Sequence, residues 1–257
     1  MACVVMKGAV SAQTFTGLEQ IGIRDINSRG VVHVLSIDEE IAIGKSVARE
    51  FETSIQVSAD STVQRLIERV GRTLAANSDV RIAITTKVIV SDDRNAFALP
   101  GGWIYVTTGL IRAASAESEL AAALSQGIAH VAARHAVERL GSTAFRGAGS
   151  RNTETSEADF LGIQYLFKAG YDPIAAIRML QTLEIQGGFG RSITAPSASD
   201  SYMPTAHAQT SAILFQTHPP ISRRVESLER AISMLPSRSE HVITSDEFDR
   251  ARTTLSR

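Results

Sequence analysis

Apolar residues recur along this chain first at helical spacing, then at strand spacing, then at helical spacing again. Ser36 and Glu39 have the spacing of a capping box, and Ile41, Ile43, Val47 and Phe51 behind them predict a helix. A second helix is predicted over 60–76, with Val63, Leu66, Ile67 and Val70 on one face. β-Branched residues then dominate 80–90, which reads as a strand. Residues 96–99 and 103–106 read as a hairpin turned by Pro100, Gly101 and Gly102. Helical spacing returns over 116–140, closed by Gly141. The next helix is predicted from Ser156, which forms a Ser-x-x-Asp box with Asp159, to Gly170. Asp172 and Pro173, a cap followed by proline at the first helical position, open a helix to 185. Residues 186–216 turn to Gly, Ser, Thr and Ala and predict a long mobile loop. An amphipathic helix over 220–235 and a short one over 245–255 complete the chain. Helices, one strand cluster and then more helices predict an α+β fold rather than alternating βαβ units. Residues 1–35 carry no clear pattern and read as a lead-in to a single domain over 36–257.

Composition narrows the function classes. The 257 residues give one or two domains at roughly 150 each, and an apolar share of 44% suffices for a sizeable core. A net charge of −1 removes the electrostatic case for a nucleic-acid partner, and 5% aromatics weakens any base-stacking role. Cys3 is the single cysteine, which excludes an internal disulfide and a cysteine-based zinc cluster. No stretch approaches the roughly 18 apolar residues of a transmembrane helix. At the N-terminus, apolar residues 1–6, Lys7 and the small-residue run Ala9-Val-Ser-Ala12 look like the tail of a truncated signal peptide, and equally like an ordinary N-terminus. The first reading places the protein in a bacterial cell envelope or periplasm, the second in the cytoplasm.

The chemistry concentrates in two neighbouring blocks. Asn95-Ala-Phe-Ala-Leu-Pro-Gly-Gly-Trp-Ile-Tyr-Val-Thr-Thr-Gly-Leu110 is followed by Glu119-Leu-Ala-Ala-Ala-Leu-Ser-Gln-Gly-Ile-Ala-His-Val-Ala-Ala-Arg-His-Ala-Val-Glu-Arg139. Further blocks are Glu157-Ala-Asp-Phe-Leu-Gly162, Ala169-Gly-Tyr-Asp-Pro173, Thr217-His-Pro-Pro220 with Arg224, and Thr244-Ser-Asp-Glu-Phe248. Together they resemble the minigluzincin zinc metallopeptidases, metallopeptidase family 48, which holds the CAAX prenyl endopeptidases and bacterial envelope quality-control proteases. The resemblance runs from about Ser36 to the C-terminus. It implies a mainly helical α+β metallopeptidase domain with one small sheet or hairpin edging the active-site helix. It also implies zinc as cofactor and extended or unfolded polypeptide as partner, laid along an edge strand at Asn95, Ala96, Phe97 and Ala98.

In the family a His-Glu-x-x-His helix places two imidazoles one turn apart on one zinc ion, and the Glu is the general base for the metal-bound water. A glutamate four residues before an aspartate on a later helix is the third ligand, and the aspartate supports a ligand histidine. This sequence departs from that pattern at its centre: the positions read Gln126-Gly-Ile-Ala-His130. Gln126 stands for the first histidine, and a neutral amide oxygen is a poor zinc ligand beside imidazole. Gly127 stands for the general base, whose loss typically costs about 10²–10⁴-fold in rate. Four residues before Asp159 is Thr155, a hydroxyl in place of the carboxylate. Glu154 and Glu157 lie about 140° and 160° from Asp159 on an ideal helix, although a one-residue insertion near the helix start would let Glu154 swing in.

His130, Asp159, His218 and Arg224 remain at family positions. The resemblance implies that His218 lies over the metal, with Arg224 assisting. Two functional readings stay open. One is a catalytically inactive, peptide-binding pseudoprotease with zinc absent or weakly held. The other is a weak zinc metalloendopeptidase using His130, Glu154 and His218 as substitute ligands. Plainer roles stand beside both: His130 as a hydrogen-bonded core histidine, Asp159 as a helix cap with Ser156, and Arg224 in surface charge patterning. His135 and His207 read as surface residues.

Overall fold

In the computed structural model, residues 17–24, 26, 35–141, 148–185 and 220–256 are described. Helix α1 (Ile37–Thr53) starts where Ser36 Oγ accepts the Glu39 amide at 3.2 Å and Glu39 Oε2 accepts the Ser36 amide at 2.8 Å. Helix α2 (Ser61–Ala76) starts at Asp60, whose carboxylate accepts the amides of Thr62 and Val63. Three strands follow, β1 (Thr85–Ile89), β2 (Ala96–Leu99) and β3 (Trp103–Thr107), in the order β1-β3-β2. β3 runs antiparallel to β2 across the 3₁₀ turn Pro100–Gly102 and parallel to β1. The hairpin is therefore present, with a parallel third strand that its pattern alone did not specify.

The sheet separates two apolar layers by the alternation of strand side chains. Val88, Ile104 and Val106, with Ala96 and Ala98, face the main core. Ile89, Leu99 and Tyr105, with Phe97 and Trp103, face Val47, Ala48 and Phe51 of α1. The main core is closed by α3 (Thr108–Ala113), α4 (Glu117–Ala132), α6 (Ala148–Lys168), α7 (Ala175–Ile185) and α9 (Asp246–Leu255). α8 (Ile221–Ser233) packs its Leu228 on Ile163 of α6 and Leu180 of α7. The α+β class is what the order of elements predicted. No described helix is long and apolar enough to cross a membrane.

Four departures from the sequence pattern matter for the site. The helix predicted over 116–140 is two helices, α4 and α5 (His135–Gly141), because Arg134 adopts a left-handed backbone with φ 55°. That conformation costs a non-glycine residue about 1–2 kcal/mol. It is offset by an ion pair from Arg134 Nε to Glu40 Oε2 at 2.7 Å and a bond from Arg134 Nη2 to Leu35 O at 2.8 Å. Helix α6 begins at Ala148, so Ser156 and Asp159 lie inside it and form no cap. Part of the lead-in joins the domain: Ile21 is buried in the main core and Arg24 pairs with Asp79 at 2.7 Å. The short helix α3, capped by Thr107, was not predicted. The loop expected over 186–216 lies outside the described residues.

Candidate functional site

Helix α4 carries the central residues, and α6 lies against it at very short range. A methyl group on Gly162 would sit 3.2 Å from the Gln126 amide nitrogen and 3.3 Å from its Cα, tighter than an ordinary contact, so the absent side chain lets α6 approach this closely. Asp159, three residues earlier on α6, is thereby brought to Gln126, whose Nε2 donates to Asp159 Oδ1 at 2.9 Å. Arg224 of α8 completes the cluster, donating from Nε to Asp159 Oδ2 at 2.9 Å and from Nη2 to Oδ1 at 2.8 Å. The pair is 5% and 6% exposed, a bidentate ion pair of the geometry that best repays burial. Arg224 is thus no surface charge, and Asp159 is no helix cap.

One turn beyond Gln126, partly buried His130 lies in the last turn of α4. Its Nδ1 lies 2.9 Å from Nδ1 of His135, with ring centroids 5.0 Å apart at 73°. One ring donates and the other accepts, which requires a proton on Nδ1 of one imidazole and none on Nδ1 of the other. His135 Nε2 stands 3.4 Å from Glu157 Oε2. His135 is only 2% exposed, which corrects its reading as a surface residue. Five residues of continuous helix would set it about 140° from His130, so the break at Arg134 is what brings the rings together.

The remaining motif residues fall as follows. Gly127 is buried, and a methyl group there would lie 3.4 Å and 3.6 Å from Ile104 Cγ2 and Cδ1 of β3, an ordinary contact. Glu154 and Thr155 are buried in the body of α6 rather than at its start, and Glu154 is five residues from Asp159 on regular helix. Asn95 precedes β2 and exchanges bonds with Thr107, its carbonyl accepting the Thr107 amide at 3.0 Å and its amide donating to Thr107 Oγ1 at 3.0 Å. Ala96, Phe97 and Ala98 are in β2. His218 and His207 lie outside the described residues.

A pocket of ≈ 500 Å³, mouth included, opens beside this cluster. Gln126, Asp159 and Arg224 form its polar side; Ile163, Met179, Leu180, Leu183 and Leu228 supply much of its apolar wall, and Ala96 of β2 stands at it too. Sequence patterning marks these apolar residues only as core positions. Among the described residues β2 ends the sheet. Since Asn95 bonds to Thr107 across the pair, antiparallel alternation turns the N–H and C=O groups of Ala96 and Ala98 to the outer edge.

The pattern of peptidase family M48 matches residues 59–148 and 142–232, more than half of the chain. The chain belongs to peptidase family M48. It is 30% identical over 192 residues to the Beta-barrel assembly-enhancing protease of Yersinia pestis, covering 60% of the chain and 40% of that relative. It is 28% identical over 186 residues to the protein of that name from Escherichia coli (strain K12), covering 58% and 38%. It is 26% identical over 219 residues to Mitochondrial metalloendopeptidase OMA1 of Schizosaccharomyces pombe, covering 73% and 64%. The chain thus spans less than two thirds of each of these relatives. Family M48 is zinc-dependent in general. Among the described residues Gln126 gives its amide N–H to Asp159, and no three His, Cys, Asp or Glu side chains gather as a metal-holding group.

Proposed function

We propose that this M48 chain holds extended polypeptide without hydrolysing it. The observation that carries the reading is the pair Gln126 and Gly127 at the first-ligand and general-base positions, with the Gln126 amide turned onto Asp159. Without a carboxylate at 127 the water has no base, a deficit of about 10²–10⁴-fold by itself. What supports peptide holding is the outer edge of β2, where backbone pairing needs no metal. Unfolded polypeptides of a bacterial cell envelope are the proposed clients; relatives named for assisting β-barrel assembly favour chains rich in strands. The domain is proposed to span 36–257 together with the lead-in residues around Ile21 and Arg24 that pack on it, with Asn95, Ala96, Phe97 and Ala98 at the peptide edge.

Metal analysis and cleavage assays on the purified protein test this. Zinc far below one per chain, no chelator-sensitive cleavage of casein and saturable binding of an extended peptide are expected. Zinc near one per chain with chelator-abolished cleavage is instead what the rival reading expects, a weak endopeptidase using His130, Glu154 and His218. The double substitution Gln126→His with Gly127→Glu is the companion experiment. Cleavage appearing in that variant would locate the deficit at these two positions; continued inactivity would place part of it at Thr155.

A further inference from the structure

Helix α6 is held from two opposite sides by unlike means. Toward α4 it presents Gly162, whose missing side chain permits a close approach but resists no sliding. Gln164 stands about 160° further round the helix, on the side of residues 17–24 of the lead-in. Arg24 Nη1 donates to Gln164 Oε1 at 2.9 Å, and one turn further along α6 Lys168 Nζ donates to Ile21 O at 2.7 Å. Asp79, just beyond α2, completes the grip. It accepts the Gly22 amide at 2.7 Å, Arg24 Nε at 2.7 Å and the Tyr165 hydroxyl of α6 at 2.8 Å. Asp79, Gln164 and Tyr165 are all buried and Ile21 lies in the main core, so this grip is an interior one.

Packing between small residues sets how near two helices lie, whereas buried directional bonds set their register. A slip of α6 by one residue moves its side chains about 1.5 Å along the axis, enough to break the 2.9 Å bond from Gln126 to Asp159. The same slip would displace Gly162 and Ile163 in the pocket wall. We propose that residues 17–24 are a strap that fixes the register of α6, and that Arg24 is thereby a positioning residue for the Gln126–Asp159–Arg224 cluster. It acts through α6 and not by touching the cluster. The strap lies outside residues 59–148 and 142–232, the stretches that carry the family pattern, so that pattern does not include this duty. The proposal is independent of what the pocket binds.

Hydrogen exchange read by NMR on the full chain tests the strap. The probes are two side-chain sites in the cluster, the Nε–H of Arg224 and the amide of Gln126, set against the backbone amides of Ile104 and Val106 in β3. Arg24→Ala combined with Asp79→Asn removes the ion pair and the bond to Gln164 without stranding a buried carboxylate. It is expected to speed exchange at both cluster sites at least about tenfold, while the two β3 amides change less than about twofold. Arg24→Lys decides the matter where the double variant fails to fold. One ammonium pairs with Asp79 but cannot also reach Gln164, and about threefold faster exchange is expected at the same two sites. Unchanged rates at Arg224 and Gln126 overturn the proposal. Equal acceleration in β3 overturns it too, since Arg24 would then stabilise the whole fold and not position the cluster.

Discussion

Glu117 and Asp159 are both buried carboxylates gripped by arginine, yet they serve different ends. Glu117 opens α4 and accepts from Arg69 Nη1 and Nη2 at 3.0 and 2.8 Å, from the Tyr171 hydroxyl at 2.8 Å and from Ser245. These partners come from α2, the segment before α7 and the cap of α9, so one carboxylate ties four parts of the chain together. Burial pushes the Glu117 carboxyl up, but the bonds from Arg69, Ser245 and Tyr171 more than reverse this and hold it below its ordinary 4.5. Burial, and then the Glu117 charge, push the Tyr171 hydroxyl well above its usual range. Asp159 is bonded just as fully by Arg224 and Gln126, but it lines the pocket beside α4, whose wall does not include Glu117. Burial and ion pairing alone therefore do not mark a site. The adjoining void does.

The comparison breaks most visibly at Arg224. Arg224→Ala leaves the Asp159 charge buried with Gln126 as its described partner and should cost about 3–5 kcal/mol in urea unfolding. Adding Asp159→Asn should return at least half of that loss, since it removes the stranded charge. Glu117→Gln should cost less, about 2 kcal/mol, because Arg69 is 39% exposed and keeps Glu247 at 2.5 Å. Its signature lies in pH. The folded-state pKa of Glu117 is lowered, so its contribution is complete above pH 4.5 and is lost as the pH falls through the folded value. The unsubstituted protein should consequently lose stability more steeply below pH 4.5 than Glu117→Gln does, as urea titrations across that range will reveal. The smallest expected effect sharpens the contrast from the other side. Gly127→Ala should gain about 0.5–1 kcal/mol in thermal melting, because a helix-interior glycine is replaced and the new methyl meets only Ile104 at ordinary contact distance. A gain there would mean that the pocket end of α4 carries avoidable instability.

Elements with local chemistry were legible in the sequence. Ser36 with Glu39 and Asp60 ahead of 61–76 set the starts of α1 and α2, and Pro100 with its two glycines set the hairpin. The break at Arg134 was not legible, because 132–137 is made of residues that favour or tolerate helix and the turn is held by Glu40, distant in sequence. The start of α6 was misplaced for the opposite reason: Ser156 and Asp159 have capping-box spacing but sit in mid-helix. At the candidate site, the positions of Gln126, Asp159 and Arg224 were visible as motif blocks. Their mutual bonds were not, since they depend on the α4–α6 approach at Gly162.

The left-handed residue between α4 and α5 also has a mechanical consequence. The bond that holds it spans 94 residues of sequence and ends on Glu40, within the first helix. The spacing of the two imidazoles is therefore set partly by how firmly that helix is seated on the sheet. A partner that levered α1 away would slacken the corner at Arg134 and part the rings, which makes the N-terminal helix a handle on the interior.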